Sequence, residues 1–159
     1  MMNGELQLKA SDRLSKHIEQ INDYLDLANV RFASFHEEFL QAANMCRQTM
    51  SMLTQQEHFD YAYILYSYAS YIQDEINKNK VVVDWCNDQL EKIVTANLDN
   101  FGQYTKHETK RQSIIKENTY AAKCDQMRQV AEARLQSLEG KTYELKRKGD
   151  ILLEKGKRL

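Results

Sequence analysis

Apolar residues spaced alternately four and three apart constrain this chain more than any other feature. The first run is Leu14, Ile18, Ile21, Leu25, Ala28, Phe32, Phe35, Phe39, Ala42 and Cys46, followed by Thr49 and Leu53. After a break the second run is Ala62, Leu65, Ala69, Ile72, Ile76, Asn79, Val83, Cys86, Leu90 and Ile93. This spacing keeps one seam of an α-helix facing a partner helix. Proline lacks a backbone N–H and clashes with the preceding helical turn, and the sequence contains none. The expected fold is therefore all-α: an elongated three-helix antiparallel coiled-coil-like bundle.

Residues 1–10 carry no pattern and read as a frayed terminus, and 11–159 read as a single helical domain. Ser11-Asp12 is an N-cap for a first helix over about 11–53. Thr54 and Glu57 stand at capping-box spacing and start a second helix over about 55–97. Turn-forming residues from Asn97 to Gly102 separate it from a third helix over about 104–155. The first half of that helix is blurred, because Ile114, Ile115, Ala121, Ala122, Cys124 and Met127 fall on more than one face. A seam then resumes at Ala131, Leu135, Leu138, Thr142, Leu145, Gly149 and Leu152. Gly140 and Gly149 each weaken a helix by about 1 kcal/mol relative to alanine, which predicts a frayed or kinked end. Short connections favour antiparallel neighbours.

The second helix carries another apolar stripe beside its seam: Tyr61, Ile64, Tyr68 and Tyr71, then Val82 and Trp85. A helix with two stripes touches two partners, so these residues read as extra core or as an oligomer or partner interface. Tyr63 is left pointing outward. Asn79 is a lone amide on the seam, the kind of residue that sets register in coiled coils. Cys46 and Cys86 both fall on seam positions, too far apart along an antiparallel hairpin to bond, and read as buried reduced thiols.

No apolar run approaches the roughly 20 residues of a membrane span, and no signal peptide is evident, so a cytoplasmic location and no membrane partner are expected. His17, His36, His58 and His107 are scattered at no metal-ligand spacing. Phosphate-loop, dinucleotide and nucleophile-elbow motifs are absent. The chain thus reads as non-enzymatic, with no cofactor and no metal.

Charge is the one feature with chemical reach. Residues 1–100 hold 8 Lys+Arg against 15 Asp+Glu, while residues 101–159 hold 14 against 8, so the two parts carry opposite sign. Either the basic part packs on acidic neighbours, in its own or another chain, or it meets a polyanion. Lys146, Arg147 and Lys148 lie near a helix C-terminus, where the macrodipole favours cations. Lys106, Lys110, Arg111 and Lys116 cluster near a helix N-terminus, where it does not. That mismatch favours phosphate contacts, and these seven residues are the candidate nucleic-acid-binding set.

The segments Tyr68-Ala-Ser-Tyr-Ile-Gln-Asp-Glu-Ile-Asn-Lys, Trp85-Cys-Asn-Asp-Gln-Leu, Lys106-His-Glu-Thr-Lys-Arg and Glu117-Asn-Thr-Tyr-Ala carry a resemblance over residues 55–159. In size and layout this part is similar to tailed-phage recombination mediator proteins of the UvsY type. The resemblance implies a helical homo-oligomer in the bacterial host cytoplasm that binds single-stranded DNA and helps load a RecA-like recombinase. The Tyr-Tyr-x-Gly segment of that family is missing, so no contact residue carries over by motif. The alternative is a coiled-coil protein-interaction module: a phage structural component, an adaptor or an inhibitor of a host enzyme.

Overall fold

The computed structural model describes residues 12–16, 18–20, 22–23 and 36–159, in two units, 1–30 and 31–159. In the first unit the described residues are helical and exposed, Leu14 and Ile18 included. The expected frayed terminus, the cap at Ser11, and the seam members Ile21, Leu25, Ala28, Phe32 and Phe35 lie outside the described residues.

The second unit contains α1 (His36–Ala43), α2 (Arg47–Met52), α3 (Gln55–Asn97), a 3-10 turn (Leu98–Asn100), α4 (His107–Glu117), α5 (Thr119–Leu138) and α6 (Lys141–Lys157). The described residues form no strand, and the all-α class holds. None of the described helices is long and apolar enough to cross a membrane.

The 43 residues of α3 extend about 65 Å at 1.5 Å per residue. Its start is the expected capping box. The Thr54 amide donates to Glu57 Oε2 at 2.7 Å, and the Glu57 amide donates to Thr54 Oγ1 at 3.2 Å, satisfying two otherwise orphaned donors. Ala62, Leu65, Ala69, Ile72, Asn79, Cys86 and Leu90 of the seam are buried. Asn79 Nδ2 donates to the Glu75 carbonyl at 2.8 Å, one turn back in its own helix.

The chain returns antiparallel along α3. Leu90, near the end of α3, clusters with Ala121 and Cys124 at the start of α5. At the other end, Gln55 Nε2 donates to the Gly156 carbonyl of α6 at 2.9 Å, and the Tyr66 hydroxyl donates to Asp150. On α1, the Phe39 ring stacks on Tyr68 with centroids 4.0 Å apart.

Three expectations change. The helix expected over 11–53 is interrupted at Asn44–Cys46, where Cys46 is extended (φ −83°, ψ 162°) and precedes α2. The break shifts the phase of the seam: Ala42 is buried, but Cys46 and Thr49 are exposed. Cys46 is therefore not a core thiol, whereas Cys86 is.

The helix expected over 104–155 is three helices. Asn118 adopts an extended conformation (φ −94°, ψ 115°) and its Oδ1 accepts from the Ala121 amide at 3.0 Å, capping α5. The restart explains why apolar residues on either side occupied different faces. A second break falls at Gly140, in the left-handed region at φ +73°, which glycine reaches without the Cβ clash of other residues.

The kink expected near the glycines is thus at Gly140, while α6 runs unbroken through Gly149 and Gly156, both buried. A Cβ on Gly149 would stand 3.1 Å from the Tyr66 ring, and one on Gly156 would stand 2.8 Å from the Phe59 ring. The glycines let α6 approach α3 closely, and that packing offsets their poor helix propensity.

Candidate functional site

The cations of the candidate set fall into two groups. Lys106 is the N-cap of α4 and makes no side-chain capping bond. One turn on, Lys110 and Arg111 are half-buried, and Lys116 is exposed in the last turn. Within α6, Lys146 and Arg147 are exposed. Lys148 is half-buried: its Nζ lies 3.0 Å from Glu144 Oε1 and donates to the Ala43 carbonyl at 3.1 Å.

The structure does not bring the two groups together. Arg111 shares a cleft with Glu91 and Thr95 of α3, while Gly149, next to Lys148, packs on Tyr66. Those two places on α3 are about 40 Å apart along the helix axis.

Arg111 lies at the junction of two clefts. One, of about 460 Å³, is walled by α4 and α5. The other, of about 290 Å³, lies between α4 and the end of α3 and includes Glu91 and His107. In the α5 wall Arg128 bonds Asp125 through Nη2 at 2.8 Å and Glu132 through Nη1 at 2.8 Å. The Asp125 hydrogen bond is the main reason the Arg128 pKa is raised.

The stripe residues have different fates. Tyr68 is buried beneath Phe39, and burial raises the pKa of its phenol. Tyr61, Ile64 and Val82 are half-buried. Tyr71 and Trp85 stay 42 % and 47 % exposed, and neighbouring Val81 is 67 % exposed. Tyr63 faces outward, as the spacing implies, at 74 % exposure.

The reading of the sequence missed the α4–α5 cleft. The signal available for it was Asn118-Thr119, a cap-forming pair that ends one helix and starts the next. Among the described residues no group of three His, Cys, Asp or Glu could hold a metal ion. No known protein family, curated protein or solved structure matches this chain.

Proposed function

We propose that the chain is a non-enzymatic, homo-oligomeric nucleic-acid-binding accessory protein acting on single-stranded DNA. The observation that carries this reading concerns ion pairing. Lys106, Lys110, Arg111, Lys116, Lys146 and Arg147 have no ion pair among the described residues; of the set, Lys148 alone has one. A basic segment that served to pack on acidic neighbours of its own chain would spend its charge there. These cations are left for a polyanion, and the first of them are held at a helix N-terminus against the macrodipole.

Two cationic groups about 40 Å apart supply few phosphate contacts per chain. Several chains on one strand multiply them, producing strong, sequence-independent and salt-sensitive binding. Exposed Tyr71 and Trp85 on α3 are the oligomer contacts of this reading. The three-helix antiparallel architecture expected from the heptads belongs to the same proposal, with α3 at its centre. So does the mediator role implied by the resemblance to UvsY-type phage proteins, with a RecA-like recombinase as partner and the host cytoplasm as location.

A second reading is the coiled-coil protein-interaction module. It draws on the same exposed Tyr71, Val81 and Trp85, with a different protein as partner.

The test is fluorescence anisotropy of a labelled single-stranded oligonucleotide titrated with the full chain. Binding that weakens steeply with salt supports the first reading. No binding at low salt removes it and leaves the second.

A further inference from the structure

We infer that the cleft between α4 and α5 is a phosphate subsite in which Arg111 clamps the anion and Lys116 supplies the second charge. The ligand class is a phosphate group next to a small organic moiety: the phosphodiester of a single-stranded nucleic acid or a free phosphate compound. The phosphodiester source rests on the function proposed above.

The volume, about 460 Å³, is that of a small-ligand site. Arg111, Gln112, Ile115 and Lys116 line it from α4, and Ala122 from α5. Arg111 is half-buried, and its guanidinium makes no ion pair or side-chain hydrogen bond with any described residue. A guanidinium presents five N–H donors in a planar fork that matches two phosphate oxygens. With no acceptor among the described residues, that fork is left for an anion that enters the cleft, and a charge-assisted bidentate pair is the strong kind of hydrogen bond.

Both acids that line the cleft already accept hydrogen bonds from their own helix. Asp125 is engaged: Oδ1 accepts from Arg128 Nε at 3.1 Å and Nη2 at 2.8 Å, and Oδ2 accepts from Gln129 Nε2 at 2.8 Å. Arg128 is held in turn by Glu132, and the charged residues that line the cleft, Glu108, Arg111, Lys116, Asp125 and Arg128, sum to one positive charge. Glu108 is exposed and accepts from Gln112 Nε2 at 3.3 Å. The smaller cleft that Arg111 also lines contains Glu91. Ile115 and Ala122 are the apolar residues of the lining, against which a sugar or base can lie.

The experiment has two arms on the full chain. First, pyrophosphate and a short oligothymidylate are titrated separately into protein labelled at arginine, and the Arg111 Nε–Hε signal is followed by NMR. Second, R111Q, checked for native helicity by circular dichroism, is titrated with the same two probes. The inference predicts a saturable shift of the Arg111 signal and about tenfold weaker binding in R111Q.

A shift with pyrophosphate alone, and no oligonucleotide binding, keeps the subsite as one for free phosphate compounds and removes the nucleic-acid reading. A shift with both identifies a phosphodiester subsite. An Arg111 signal that neither probe moves overturns the inference, whatever R111Q does. Oligonucleotide binding equal in wild type and folded R111Q also overturns it and leaves the proposed function standing on the other cations.

Discussion

Tyr66 donates a hydrogen bond to Asp150 across the α3–α6 contact, and its phenol pKa is pushed up to about 12 chiefly by that bond, with burial adding to it. The unfolded value is about 10. A group whose pKa is raised on folding stabilises fully below its unfolded value and loses that contribution as pH rises through the folded one. The Tyr66 contribution is thus intact at neutral pH and disappears between about pH 10 and 12. Y66F is expected to cost about 0.5–1.5 kcal/mol at pH 7, and its melting temperature should converge on that of wild type as pH approaches 12. Parallel pH profiles for the two proteins would contradict this assignment.

The cysteines give a second test at this scale. Burial pushes the Cys86 thiol up, while a hydrogen bond with the Thr49 hydroxyl, 3.1 Å away, lowers the pKa of exposed Cys46. In a native thiol titration with an aromatic disulfide reagent, Cys46 should react promptly. Cys86 and Cys124 should react only on unfolding; prompt reaction of all three would contradict the fold. The burial of Cys86 was legible because the seam of α3 is continuous through it. The exposure of Cys46 was not, because three residues of broken helix turn it out of phase.

Among the elements, α6 shows why a glycine can favour a helix it weakens. G156A replaces a poor helix former with the best one, a gain of about 1 kcal/mol. Yet the new Cβ would stand 2.8 Å from the Phe59 ring and 3.0 Å from His58 Cβ, and His58 is buried. Overpacking of this kind costs about 1–3 kcal/mol. G156A should therefore lower stability in chemical denaturation, and a stabilised G156A would show that α6 does not approach α3 this closely.

Helix α4 has the opposite design, because its N-cap Lys106 neither caps nor suits the dipole. K106S should stabilise the protein by about 1 kcal/mol while weakening oligonucleotide binding. Weaker binding in a more stable protein cannot be attributed to unfolding; a K106S protein that binds as wild type removes Lys106 from the interface. Local signals were legible in these elements. The Thr54–Glu57 box starts α3 because both partners lie within one turn. The role of Gly149 and Gly156 was not legible, because a close approach depends on residues about a hundred positions away.

At the scale of the molecule, the sequence shows a basic last third, and the structure divides that charge. One group stands on α4 near the end of α3, and the other on α6 near its start. The identity of the candidate cations was legible, since charge needs no fold to be counted. So was their division into two groups along the chain; the distance between those groups was not, because the breaks at Asn118 and Gly140 decide where each helix points. The Arg111 cleft exists only because α4 ends at one of those breaks; Asn118-Thr119 marks the break in the sequence, but not which side chains it brings together.

The central claim is that unpaired lysines and arginines bind the phosphates of single-stranded DNA. Its most direct test is the salt dependence of oligonucleotide binding for wild type and for K106Q/K110Q/K116Q. The account predicts a linear fall of log Kobs with log salt, shallower in the variant by about 0.7 for each phosphate that is no longer neutralised. An equal slope and affinity in a folded variant, or no binding by wild type at low salt, would contradict it.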